Sequence, residues 1–306
     1  QKTAYEIKEC DWSSDVCSSD LTPPGGDSQP ATGNGDTGDG VDAFTNGTGA
    51  VLVGGNGTSG GFLGNISGNQ TGIFAYGNGT VTVRGGGGNV AGSTLWGIVA
   101  INGDANLSHS GSTNTVLVDL EGGSNVVAGD QGGIKATTVG NGNVTVITTG
   151  NITDNGNPTH FGIYAENNGT KGSVSVTTAG NTTIGTISGN YDGAAGIHAA
   201  LSDSLNTTGT VSVVNGGNIT VNNPNPGVVT NYGIYAFSAC DNHVVCGNVT
   251  VNNTGDIDPP TFAIFASGGG NVTVTNSGNI TGGTGDRKST RLNSSHIPLS
   301  RMPSSA

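Results

Sequence analysis

The amino-acid sequence predicts an all-β chain folded as a right-handed parallel β-helix of about eight irregular three-strand coils. Three observations lead there. A Gly-apolar-x-Ala element and its near copies recur eight times between Gly40 and Ala266. A Val-x-Val element follows each of them, from Val51 to Val274. The composition is that of neither an average globular protein nor a disordered tail, with 57 glycines in 306 residues and only 10% charged residues. Average chains hold ~7% Gly, and disorder favours high net charge with few β-branched residues.

The first element reads GVDA at 40, GIFA at 72, GIVA at 97, GIKA at 133, GIYA at 162, GIHA at 196, GIYA at 233 and AIFA at 263. Successive copies lie 32, 25, 36, 29, 34, 37 and 30 residues apart. Self-similarity at such a period is the mark of a stacked-repeat architecture. Within each copy apolar and variable positions alternate, which is strand periodicity. If each repeat makes one turn, Ile73, Ile98, Ile134, Ile163, Ile197, Ile234 and Ile264 stack into one interior column.

The second element reads VLV at 51 and 116, VTV at 81, 144, 249 and 272, and VSV at 174 and 211. Its valines, such as Val144 with Val146 and Val272 with Val274, are expected to form a second column, with the intervening Thr and Ser outward. A third element, GNIT or a variant of it, follows at Gly150, Gly217 and Gly278, with GDID at Gly255 as a degenerate copy. Insertions fall between the elements. Three short strands cannot bury their own apolar face, but stacked coils bury a continuous one, each touching only its neighbours. Gly and Asn suit the corners because both tolerate left-handed backbone conformations. Eight coils at ~4.8 Å each give a rod section of about 40 Å.

The two ends share none of this chemistry. All glycines lie between Thr22 and Gly285, and of nine Lys and Arg only Arg84, Lys135 and Lys171 are internal. Back-translation accounts for the difference. A DNA sequence that encodes residues 1–21 encodes, on its complementary strand read one base in, DRKSTRLNSSHIPLSRMPSS, which is Asp286–Ser305. That inverted repeat resembles an indexed adapter of a short-read sequencing library, with the variable index at Ile7–Cys10 and again at Ile297–Leu299. Residues 1–21 and 286–306 are therefore expected to be adapter-derived and are set aside before fold reasoning. The remainder is expected to be an internal piece of a longer gene. Residues 22–39, rich in Pro, Gly, Ser and Asp, read as a linker or frayed edge, and 40–285 as the repeat region.

The phrases GIYAENNG…GSVSVTTAGN, GIYAFSACDN…GNVTVNNTGDI and AIFASGGGNVTVTNSGNIT resemble passenger repeats of Gram-negative autotransporters. The resemblance covers about 40–285. It implies a β-helical passenger exposed on the bacterial surface or secreted, commonly adhesive. It also implies an N-terminal signal peptide and a C-terminal outer-membrane β-barrel in the full gene, the barrel being the only route to the membrane. The expected partner is a host, matrix or sibling-cell surface ligand of unspecified identity. The formal net charge of −12 leaves no basic face for nucleic acid, and no apolar run is long enough to cross a membrane as a helix.

Candidate chemistry is sparse. Cys240 and Cys246, in SACDNHVVCGN, read as a disulfide closing a small loop, which an oxidising compartment permits. The rivals are two free thiols, or a metal site with His243 that lacks a fourth ligand. No metal or other cofactor is expected. His109, His160, His198 and His243 fall at unrelated repeat positions, and His198 in the variable slot of GIHA is expected outward and solvated. A carbohydrate-active β-helix is the alternative function, and structural display by a stalk without a ligand is a third. A hydrolase needs two carboxylates facing one groove, and the closest pairs are Asp256 with Asp258 and Asp119 with Glu121. GDSQP at 26–30 lacks both an oxyanion-hole glycine pattern and a positioned base. The sixteen Asn-x-Ser/Thr sequons from Asn46 to Asn279 mostly restate the repeat, with N-glycosylation as the minority reading. The longest inter-element stretches, after Asn102 and around Asn222–Tyr232, are where partner contacts are expected.

Overall fold

Alternating apolar and polar residues with short Gly/Asn corners give strands, and the strands stack because each coil leaves its edge groups for the next. In the computed structural model, three parallel sheets of eight strands each are built from strands between Gly33 and Asn276. The structure describes residues 33–35, 38–45, 48–54, 65–103, 113–123, 125–154, 160–180, 182–188, 193–222, 230–239, 247–258 and 261–281. In each sheet, strands three apart in the sequence order are neighbours, so every turn of the chain contributes one strand to each sheet. That is a parallel β-helix of eight coils. Among the described residues there is no helix.

The Gly-apolar-x-Ala strands, from Val41–Thr45 to Phe262–Ser267, form one sheet. Ile73, Ile98, Ile134, Ile163, Ile197, Ile234 and Ile264 are successive register partners within it. The first six are fully buried and Ile264 is 5% exposed. Ala75, Ala100, Ala136, Ala165, Ala199 and Ala236 form a parallel column of small side chains, also fully buried. The Val-x-Val strands, Val51–Gly54 to Val272–Asn276, form the second sheet. Val144 and Val146 are fully buried there, whereas Val272 and Val274, on the last coil, are half-buried against the same core.

The third sheet extends further than the GNIT motif indicates. Its core column is Ile66, Val90, Val126, Ile152, Ile184, Ile219 and Ile257, continued by a bridge from Ile257 to Ile280. The strands Ile66–Gly68 and Asn89–Gly92 sit in looser variants of that motif, GNIS and GNVA, and Asn125–Ala128 and Thr183–Ser188 carry no recognisable copy of it. Register slips by one residue in two strands, Thr183–Ser188 and Val116–Gly122, the latter past its Val-x-Val segment. Such bulges add one residue without breaking the ladder on either side.

The leading glycine of Gly-apolar-x-Ala has a steric cause. It occupies the corner where this sheet meets the third one. A methyl group on Gly133, Gly162, Gly196 or Gly233 would run into the Cγ2 of Ile152, Ile184, Ile219 or Ile257 respectively. The corner is closed by the core column of the neighbouring sheet, so only glycine fits at these four positions; the last coil has Ala263 there.

The opposite corner, after Val-x-Val, is closed by amides. Thr178, Asn215, Asn253 and Asn276 are stacked register partners. The Thr178 hydroxyl donates to Asn215 Oδ1 at 2.6 Å, Asn215 Nδ2 to Asn253 Oδ1 at 2.6 Å, and Asn253 Nδ2 to Asn276 Oδ1 at 2.6 Å. Each amide also donates to the carbonyl two residues on in its own turn, Gly217, Gly255 or Gly278. Asn215 and Asn253 are fully buried. A primary amide has donors for its own turn and for the next coil, plus an acceptor for the previous one, so the ladder satisfies turn and stack together.

Candidate interaction face

The outer side of the Gly-apolar-x-Ala sheet collects aromatic residues. Every Phe, Tyr and Trp among the described residues stands there. Two sequence features place them. The variable slot of each Gly-apolar-x-Ala element alternates away from the core, and reads Phe74, Val99, Lys135, Tyr164, His198, Tyr235 and Phe265 up the stack. The corner glycine and the isoleucine after it both face inward, so the residue before the glycine also emerges outside. That second column holds Trp96, Gly132, Phe161, Ala195, Tyr232 and Phe262.

The rings form a continuous ladder over four coils. Tyr164 stacks on His198 with centroids 4.4 Å apart and planes 11° from parallel. His198 stacks on Tyr235 at 5.0 Å, and Tyr235 on Phe265 at 5.0 Å. These spacings match the ~4.8 Å separation of adjacent strands, so the backbone sets the ring geometry. Phe161 meets Tyr164 edge-on at 5.0 Å and His198 at 5.6 Å. Tyr232 stacks on Phe262 at 5.5 Å and meets Tyr235 edge-on at 5.0 Å. Ring faces are thus covered by other rings along the stack. Each such pair adds about 0.5–1.5 kcal/mol beyond area burial.

At its lower end the ladder is anchored by Trp96, whose Nε1 donates to Gln131 Oε1 at 2.8 Å. The Lys135 ammonium sits 5.9 Å from the indole centroid, within cation–π range. Trp96 and Phe161 lie parallel, 6.3 Å apart, across Gly132. A Cβ on Gly132 would overlap the indole ring and lie 2.7 Å from the Phe161 carbonyl oxygen. Gly132→Ala is therefore expected to displace the indole, red-shift its emission and cost about 1–3 kcal/mol by overpacking. In a Trp12→Phe background, fluorescence during urea unfolding reads both effects.

Polar groups flank the rings. Glu166 accepts a hydrogen bond from the Tyr164 hydroxyl at 2.6 Å and another from the Ser202 hydroxyl. Burial, that hydrogen bond and the Glu166 charge all raise the Tyr164 phenol pKa, and burial raises that of Tyr235. Both are neutral donors at ordinary pH. Burial pushes His198 down to about 4 against the opposing pull of Glu166. His160 is also lowered by burial, opposed by Asp130.

The outward slot of His198 is thus a stacked and half-buried position, not a solvated one. Register turns the slot into a column of rings, and two flanking tyrosines cover the imidazole. Reading down the variable slot of the aligned elements was the available signal. The carboxylate pairs have other partners. Asp119 Oδ2 pairs with Arg84 Nε at 3.2 Å, and Asp119 Oδ1 accepts from the Glu121 backbone N–H. Asp256 Oδ1 accepts the Asn279 backbone N–H at 2.9 Å, and Asp258 is exposed.

Several sequon asparagines have a structural role. Asn143, Asn151, Asn218 and Asn248 each accept a backbone N–H of the next coil through Oδ1. Cys240, Cys246, His109, His243 and most of the stretches after Asn102 and around Asn222–Tyr232 lie outside the described residues. Groups of three or more potential metal ligands are absent among the described residues. No family model, curated protein or solved structure matches this chain.

Proposed function

We propose that this chain is a passenger segment of a Gram-negative autotransporter, carried on the bacterial surface or secreted, and that it acts in adhesion through its aromatic face. The observation that carries the reading is the segregation of all described Phe, Tyr and Trp residues to the outer side of one sheet. Aromatic residues are enriched at protein interfaces, and a rod that confines its rings to one side presents such a surface. The β-helix supplies a rigid support, and low charge with nearest-neighbour stacking suits a chain that folds coil by coil after export. The repeat phrases quoted above add the family. The partner is a host, matrix or sibling-cell surface component.

The test is attachment of the purified chain to epithelial cells, extracellular-matrix coats and cells of the source bacterium. A Tyr232→Ser/Tyr235→Ser variant with an unchanged far-UV spectrum is compared with a Thr145→Ser/Thr250→Ser variant on the Val-x-Val face. Loss of attachment only in the tyrosine variant is expected. Equal attachment by both, or by neither the parent nor the variants, contradicts the adhesive reading. Glycan depolymerisation lost on Asp256→Ala would establish the carbohydrate-active alternative. Recovery of the full gene tests the family reading, which requires a signal peptide and a barrel domain.

A further inference from the structure

We propose that His198 makes the aromatic face proton-sensitive: the neutral imidazole completes the stack between Tyr164 and Tyr235, and its protonation opens the ladder at that rung. The consequence for attachment rests on the adhesive reading; the opening itself does not.

The geometry sets up the conflict. His198 is the one rung of the Tyr164–His198–Tyr235–Phe265 ladder that can gain a charge below neutral pH. Its two ring faces lie against tyrosine rings, and its edge meets Phe161. Half-buried among these rings, it is in a setting that disfavours the charged form. The groups facing it from the preceding strand, Phe161–Asn167, are Tyr164 and Glu166, and from the following strand, Tyr232–Ser238, Tyr235. Lys135 lies one rung below Tyr164 in the same column and adds no attraction for an imidazolium.

Glu166 is the group that would welcome the charge. Each of its carboxylate oxygens already accepts a hydrogen bond, Oε2 from the Tyr164 hydroxyl and Oε1 from the Ser202 hydroxyl, which fixes the carboxylate's orientation. Turning the carboxylate toward the imidazolium would break that clamp, and leaving it in place keeps the cation poorly solvated. The imidazole relieves the conflict by leaving the stack for water.

The sign follows from linkage. The stacked imidazole has a pKa lowered from 6.5 to about 4, whereas an opened one titrates at its ordinary value. Opening therefore gains nothing above pH 6.5, becomes progressively favoured as pH falls toward 4, and levels off below. Across that window the open-to-closed ratio rises by up to about 300-fold. Because the ladder links four coils, opening one rung exposes the edges and faces of its neighbours.

The test needs no partner for its first arm. The wild-type chain is titrated from pH 7.5 to 3.5 while the His198 Cε1–H resonance, assigned with His198→Gln, and the near-UV aromatic circular dichroism are followed. His198→Phe, which keeps a ring at the rung but takes up no proton, is titrated alongside. The expected result is a His198 midpoint at least one unit below 6.5, with an aromatic band that declines in the wild type and stays level in His198→Phe. A midpoint near 6.5, or an equal decline in His198→Phe, overturns the proposal.

The second arm takes, for each protein, the ratio of attachment at pH 7.5 to that at pH 4.5. A ratio well above one in the wild type and near one in His198→Phe supports the consequence; equal ratios overturn it. Absence of attachment at pH 7.5 by the wild type strikes the adhesive reading and leaves the titration result standing.

Discussion

Asn215→Ala is expected to destabilise the fold by about 3–5 kcal/mol, among the largest effects of a single truncation in this chain. The residue is fully buried and holds three hydrogen bonds. It accepts from Thr178 Oγ1 at 2.6 Å and donates to Gly217 O at 2.7 Å and Asn253 Oδ1 at 2.6 Å. Truncation leaves a hydroxyl, a carbonyl and an amide oxygen unpaired in a dry corner, at about 1–3 kcal/mol each where no water enters. The ladder also predicts coupling. Asn215→Ala/Asn253→Ala should cost clearly less than the sum of the single changes, because the second truncation removes one of the groups the first left unpaired. Urea unfolding of the three variants checks both statements. Additive costs below 1 kcal/mol each would mean that the amides do not stack.

Gly196→Val is expected to cost at least about 3 kcal/mol, at the upper end of overpacking effects, and to split the unfolding transition in two. Its Cβ would overlap Ile219 Cγ2 and lie 2.8 Å from the Gly233 carbonyl oxygen. The corner has backbone on one side and the core column on the other, so neither side yields cheaply. In a solenoid each coil is coupled only to its neighbours. A wedge in the sixth of eight coils should therefore uncouple the two coils beyond it from the five before it. Calorimetry of the variant should show two transitions where the parent shows one. A single transition at the parent's temperature would contradict the steric account of the motif.

The two motifs that predicted the fold were legible for a physical reason. Ile and Val at alternate positions are the strongest strand signal a single sequence carries, and both recur in every coil. The third sheet was legible only where GNIT or GDID repeats. Around Ile66 or Val90 a single apolar residue stands among Gly, Asn, Ser and Ala, with no alternation to detect. Its strand character comes from the neighbouring coils.

The amide ladder was illegible because Asn in isolation reads as a turn residue. Asn215 and Asn253 are the last residues of their Val-x-Val strands, at the corner, and the stacking of coils buries them. The aromatic face was half legible. Alternation placed Tyr164 and His198 outward, but mutual stacking is a property of register between coils 34 residues apart. An outward slot in an isolated strand is solvated; in a stacked one it is covered by its neighbours.

The central claim is that successive repeats stack as parallel coils in one register, since the aromatic face exists only if they do. It is tested by the distance between spin labels at Thr82→Cys and Thr273→Cys, with Cys10, Cys17, Cys240 and Cys246 replaced by Ser. Both positions point outward on the Val-x-Val sheet, and six register steps link them through Leu117, Thr145, Ser175, Ser212 and Thr250. Six steps at ~4.8 Å give a narrow distribution centred at about 29 Å. A broad distribution centred near or beyond ~70 Å, the expectation for a flexible chain of that length, would contradict the stacked-coil account.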